Sequence, residues 1–268
     1  MDQHHLSLLA LQCIPGVGNF TLRQLVSYCG APDKVFTTPK GKLLKIPGIG
    51  QVTAEAIVAG KSFAKAEQEI RKASEQGVNI IFFTDKNFPT RLKMINDAPA
   101  LLYTKGNINF ENAKTVAVVG TRNATAYGRT CTEELIHALV PYGALIISGL
   151  AYGIDIYAHK AALAAGLPTI GVMGSGIDVI YPAAHADTAA KMMHNGGLVT
   201  ELSMGTKPDA HNFPARNRIV AALSDAVIIV EAAEKGGALI TAEIANSYNK
   251  DIFAYPGNVD QSHSAGCN

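Results

Sequence analysis

From residue 115 onward the apolar residues come in short continuous runs instead of alternating with polar ones. The runs fall at 116–119, 144–148, 169–173, 198–201, 226–230 and 252–255. Most are rich in Val and Ile, and such runs mark strands buried on both faces. Between them lie segments with apolar positions at helical spacing, roughly 127–140, 153–165, 184–195, 214–223 and 238–248. The strands recur every ~25–30 residues, the size of a βαβ unit. This pattern predicts an α/β fold, a doubly wound and mostly parallel sheet.

The first 60 residues follow a different rule. Ile14-Pro15-Gly16-Val17-Gly18 and Ile46-Pro47-Gly48-Ile49-Gly50 are near-repeats, and each is followed by a segment of helical periodicity. Segments 6–12 and 41–45 supply the preceding helices. The repeat predicts a small all-helical domain of tandem helix-hairpin-helix motifs (a SAM-like arrangement) over residues 1–65. Backbone amides at the start of the second helix of such a hairpin can hold a phosphate without reading a base. The same Pro-Gly-x-Gly is also a good turn between two packed helices. Residues 61–78 read as a further helix, with 66–78 connecting to the second domain, 79–268. That domain opens with strands at 79–83 and 101–104.

Composition narrows the class. Hydrophobic residues make up 48% and charged residues 17% of the chain, which excludes global disorder. The net charge of +1 excludes an overtly basic protein, although basic residues dispersed in sequence can still converge in a fold. The four cysteines form no Cys-x-x-Cys pair, and the histidines have no metal-ligand spacing. There is no secretory pattern and no apolar stretch near the ~20 residues that span a bilayer. A soluble, cytoplasmic protein without a metal or cofactor is expected.

Ligands of doubly wound sheets sit outside the carboxyl ends of the strands. After the strand at 116–119 comes Gly120-Thr121-Arg122. Neither Gly-x-Gly-x-x-Gly nor a P-loop is present, because Arg122 and Thr125 stand where the second and third glycines belong. Ser148, Gly149 and Gly153 follow the next strand. Phe213, Arg216, Asn217 and Arg218 come from "FPARNR", and Lys235, Gly236 and Gly237 from "EKGG". These four cations are expected on one rim with glycine-rich backbone around them. Each has an alternative. Arg122 can pair with a carboxylate such as Asp155. Arg216 and Arg218, two apart, do not share a helix face, so one can face a ligand while the other is paired internally. Phe213 can stack on a base or staple its helix. Asp155, His159 and Ser148 suggest a hydrolase triad, but the Gly-x-Ser-x-Gly elbow is missing and Asp155 better suits a partner of backbone amides.

The stretches "VAVVGTRNATAYG", "IISGLAYGIDIYAHKAAL", "GVMGSGIDVIYP", "FPARNRIVAALSDAVIIVEAAEKGGALITAEIA" and "FAYPGNVDQSHSAGCN" closely resemble, in order, the DNA-processing protein A family, also called Smf or DprA. The resemblance covers residues 79–268 and implies an extended Rossmann-like domain without enzymatic chemistry. It further implies a cytoplasmic homodimer that binds and protects single-stranded DNA and loads RecA recombinase in natural transformation. The family's Gly-Ser-Arg motif falls on Gly120, Thr121 and Arg122, and its Phe-x-x-Arg-Asn-Arg motif on Phe213 to Arg218. Its Ser-Gly-x-Ala-x-Gly-Ile-Asp motif falls on Ser148 to Asp155, and its Lys-Ser-Gly on Lys235 to Gly237. Tyr152 stands where arginine is common and Gly236 where serine is. The family pattern continues beyond Asn268, which implies a chain cut short there. The rival reading is a nucleotide phosphoribohydrolase, whose Pro-Gly-Gly-x-Gly-Thr-x-x-Glu is echoed faintly by "KGGALITAE". A nicotinamide or flavin site is disfavoured by the missing glycine fingerprint.

Overall fold

The computed structural model describes residues 2–268. By its internal contacts the chain divides into two compact units.

The first unit runs through Phe88 and takes in Asn96–Leu102. It holds α1 (Gln3–Gln12), α2 (Asn19–Cys29), α3 (Pro32–Thr37), α4 (Lys40–Leu43), α5 (Gln51–Ala59), α6 (Ser62–Glu75) and β1 (Asn79–Phe82). The two near-repeats fold alike. The Val17 amide donates to the Ile14 carbonyl at 3.0 Å, and Ile49 donates to Ile46 at 3.1 Å. Gly16 and Gly48 take φ of 82° and 79°, left-handed values that suit glycine and turn the chain between helices. α2 and α5 then start on Gly18 and Gly50, without a side-chain cap. The expected helix at 41–45 is the short α4, and α3 before it went unpredicted. Pro32 sits at the start of α3, where a missing amide is harmless. Leu8, Leu11, Leu22, Leu25, Val35 and Ile57 fill the interior of this unit.

The second unit, Pro89–Ile95 with Tyr103–Asn268, carries the sheet. Its elements are α7 (Thr90–Lys93), β2 (Leu101–Asn107, which begins in the first unit), β3 (Thr115–Gly120), α8 (Ala126–Leu139), β4 (Leu145–Ser148), α9 (Ile154–Ala164) and β5 (Thr169–Val172). They continue with α10 (Ala186–Met192), β6 (Gly196–Thr200), α11 (Asn212–Leu223), β7 (Ala226–Val230), α12 (Gly237–Ser247) and β8 (Asp251–Ala254). The strand order is β2-β6-β5-β4-β3-β7-β8. Every pair is parallel except β2 with β6. The chain winds outward from β3 through β4 and β5 to β6, then returns to the other side of β3 for β7 and β8. The reversal leaves a topological switch point between β3 and β7, where such sheets open a crevice at their carboxyl ends. Beneath it, Val118, Ile146 and Val230 of the sheet pack with Ile136 of α8 and Ile154 and Ala158 of α9.

Candidate functional site

A cleft of about 710 Å³ opens at the switch point. Its walls come mainly from the end of β3, the β4–α9 loop, the first turns of α11 with the loop before it, and the β7–α12 loop with the start of α12; Tyr181 of the β5–α10 loop joins them. Ten of the thirteen candidates from sequence line it: Gly120, Thr121, Arg122, Gly149, Phe213, Arg216, Asn217, Lys235, Gly236 and Gly237. The lining holds three cations, Arg122, Arg216 and Lys235, and one carboxylate, Asp155, so it carries a net positive charge.

The Arg122 loop is fixed from below. The Thr121 amide donates to the Glu231 carbonyl at 2.8 Å, and the Thr121 carbonyl accepts from the Ile154 amide at 3.1 Å. The Glu231 carboxylate accepts the Thr125 amide at 2.9 Å and the Thr125 hydroxyl. Glu231 is 4% exposed and has φ of 57°, an unusual conformation for a residue other than glycine. Held there, it aligns the turn that presents Arg122. Arg122 itself is exposed, and its guanidinium lies 5.6 Å from the centre of the Phe213 ring. It forms no ion pair with Asp155, whose foremost charged neighbour is Arg216.

Arg216 is the buried cation. Its Nη1 donates to the Val172 carbonyl at 2.6 Å, and its Nε has no hydrogen-bond partner among the described residues. Burial draws its pKa down, and the Asp155 charge opposes that. Burial likewise raises the Asp155 carboxyl, and Arg216 opposes. The pair is packed over Gly149, where any side chain would stand in the guanidinium and the carboxylate. Lys235 and Gly236 are exposed, and α12 starts on Gly236 with no side-chain cap. Its first amides therefore keep their donors for a ligand, with the helix dipole behind them. Asn217 donates from Nδ2 to the Gly237 carbonyl at 3.3 Å, tying α11 to this loop.

Three candidates stand outside the cleft lining. Arg218 donates from Nη2 to both oxygens of Glu201, at 2.6 and 2.5 Å, so it is the internally paired arginine of the two. Ser148 is fully buried and donates to the Val118 carbonyl at 2.7 Å. Gly153 takes φ of 76° and lies against the Thr121 and Arg122 backbone, so it shapes the loop from beneath. The Ser148–His159–Asp155 triad is not assembled. His159 Nε2 donates to the Gly149 carbonyl at 2.5 Å, and Nδ1 meets the Thr169 hydroxyl at 2.7 Å. Burial holds its pKa at about 4, so the imidazole is neutral and structural. Glu243, the acid of the phosphoribohydrolase echo, is exposed and does not line the cleft.

The sequence reading missed Glu231 and Tyr181. Glu231 follows β7 directly, a carboxylate at a strand end, which was the available signal. Tyr181 reaches the cleft only because the long loop after β5 returns to it, and its ring lies 5.8 Å from that of Phe213.

Residues 79–268 match the sequence model of DNA recombination-mediator protein A. The chain belongs to that family. It is 34% identical to protein Smf of Synechocystis sp. over 263 residues, covering 97% of this chain and 66% of that one. It is 42% identical to DNA processing protein DprA of Streptococcus pneumoniae over 183 residues, 68% of this chain and 64% of the relative. The chain thus spans about two thirds of the length of these curated relatives. The X-ray structure of the S. pneumoniae protein superposes with a TM-score of 0.85 at 32% identity, covering all of this chain and 92% of that one. DNA processing protein A from Helicobacter pylori, solved for its single-stranded DNA binding mode, gives a TM-score of 0.64 at 33% identity, covering 70% of this chain and 85% of that one. No helix of the described residues is long and apolar enough to cross a membrane.

Proposed function

We propose that this chain binds single-stranded DNA in the cleft at the switch point. The observation that carries the proposal is the lining: three cations, an aromatic ring and an uncapped helix start around one open groove. Arg122, Lys235 and the anchored Arg216 hold successive phosphates, and the α12 amides complete the cradle. Phe213 stacks on an unpaired base, a contact a duplex cannot offer because its bases are already stacked. The binding mode studied in the H. pylori relative supports this reading. We read the site as one for binding: its carboxylate, Asp155, lies buried beside Arg216 and accepts the Ala151 amide. The wider role proposed with it, which membership of the family supports, is that of a cytoplasmic homodimer that shields incoming single strands and passes them to RecA recombinase.

The test is a titration of fluorescent oligo-dT and of a duplex of equal length across a range of salt. Three neutralised phosphates give a slope of log affinity against log salt of about −2. Arg122→Ala is expected to weaken binding and bring the slope to about −1.4. An unchanged affinity and slope in that variant, or equal preference for duplex, overturns the assignment. Release of adenine from AMP above background would favour the phosphoribohydrolase reading instead.

A further inference from the structure

Beside the cleft lies a second, smaller recess of about 50 Å³, floored by Leu150 and Met173. It shares Arg122, Ala151, Tyr181, Phe213 and Arg216 with the cleft, so the two open into one another. Two of its walls are tyrosines left about half exposed, Tyr152 at 53% and Tyr181 at 50%. Folding alone does not account for them, because neither ring is driven into the core. Each is instead braced against a second ring. Tyr152 meets the His185 imidazole edge-on, at 4.8 Å and 73°. That imidazole is 5% exposed and is held by a 2.8 Å contact between Nδ1 and the Leu150 carbonyl. Tyr181 leans on Phe213 at 35°. Tyr152 also follows the Gly149 turn and precedes Gly153, whose backbone is locked against Thr121 and Arg122. Its position is therefore set by the same loops that set the phosphate cradle.

We infer that the mouth of this recess is a second base subsite, at which the exposed ring of Tyr152 stacks on an unpaired base neighbouring the one on Phe213. The inference rests on the reading of the cleft as a single-stranded DNA site. The recess is too small for a folded segment of a partner protein, three of its lining side chains are aromatic rings (Tyr152, Tyr181 and Phe213), and it is continuous with the proposed phosphate-holding groove. Base–aromatic stacking tolerates any base, so the subsite adds affinity without sequence preference. It also adds affinity that salt does not weaken, because it neutralises no phosphate.

The experiment uses the full chain and the same oligo-dT titration across salt, with Tyr152→Ala, Tyr152→Phe, Tyr152→Arg and Arg122→Ala side by side. Tyr152→Ala is expected to lose roughly 5- to 150-fold in affinity with an unchanged salt slope. Tyr152→Phe, which keeps the ring, stays within about twofold of wild type, and Tyr152→Arg steepens the slope by about 0.7. Oligonucleotides with one abasic position moved along the strand should show two sensitive positions in wild type and one in Tyr152→Ala. The side chain is exposed, so matching thermal melts will show that the variants fold. If Arg122→Ala weakens binding while Tyr152→Ala does not, the subsite is refuted and the cleft stands. If Tyr152→Phe falls as far as Tyr152→Ala, the hydroxyl and not the ring is responsible, and the inference is again overturned. If wild type binds no single strand, the cleft reading fails and takes the subsite with it.

Discussion

Replacing Glu231 with alanine tests whether the presentation of Arg122 is built in or incidental. The carboxylate accepts the Thr125 amide at 2.9 Å and the Thr125 hydroxyl, both from the loop between β3 and α8. Hydrogen bonds to a charged group contribute about 1.5–3 kcal/mol each, a gross loss of about 3–6 kcal/mol. Removing a buried carboxylate also removes its desolvation cost, which offsets part of that loss. The backbone bond from the Thr121 amide survives the substitution, and alanine inherits the same left-handed φ. A net destabilisation of about 3 kcal/mol is expected, read as a lower urea midpoint at an unchanged m-value. Glu231→Gln, which still accepts the amide, should lose about half as much. A double-mutant cycle with Thr125→Ala isolates the pair and should return a coupling of about 1.5–3 kcal/mol. Oligo-dT affinity of the folded Glu231→Ala protein should fall as well, because Arg122 must then be ordered by the ligand. A urea midpoint equivalent to less than about 0.5 kcal/mol of change, with coupling near zero, would show that the loop is held by something other than this carboxylate.

Two further predictions concern residues that the cleft does not use for contact. His159 has a folded pKa of about 4 against an ordinary value of 6.5, so between these the unfolded chain binds the extra proton. Its contribution is intact above pH 6.5 and is lost as pH falls toward 4, at up to about 1.4 kcal/mol per pH unit and about 3 kcal/mol in all. His159→Gln should flatten the difference in urea midpoint between pH 7 and pH 5, and an equal fall in both proteins would refute the assignment. Arg218→Ala should lower stability by about 2 kcal/mol by leaving Glu201, 16% exposed, without its guanidinium, yet leave the oligo-dT salt slope unchanged. A slope shallower by about 0.7 would place Arg218 on a phosphate after all.

The sheet was legible because buried parallel strands must be apolar on both faces, and the runs at 116–119 and 226–230 mark β3 and β7 almost to the residue. The hairpins were legible because a left-handed turn needs Gly16 and Gly48 at fixed places. The location of the cleft followed from strand ends alone. The roles of Arg216 and Arg218 did not. They lie two apart on α11, and which one meets the cleft depends on how that helix is rotated on the sheet. Burial of Ile219, Val220 and Leu223 decides this, and it turns Arg216 inward and Arg218 toward Glu201. Tyr181 was invisible for a related reason. Its partner ring, Phe213, is more than thirty residues away in sequence and on a different element. Asp155 looks catalytic by spacing, but it is buried beside Arg216 and accepts the Ala151 amide at 3.4 Å, the backbone-partner role expected of it.

The contrast between Arg216 and the other two cations has a kinetic consequence. Arg216 is fixed to the Val172 carbonyl and sealed over Gly149, so it gives up no freedom when a phosphate arrives. Arg122 and Lys235 are exposed and must be stilled on each encounter. On the proposed reading of the cleft, a strand in such a groove is moored at one point and tethered at two. Its tethers can let go singly while the mooring holds, so a competing protein could displace the strand one contact at a time, without any opening of the fold. Transfer of the strand would then be paced by the slowest single contact and not by the affinity of the whole site.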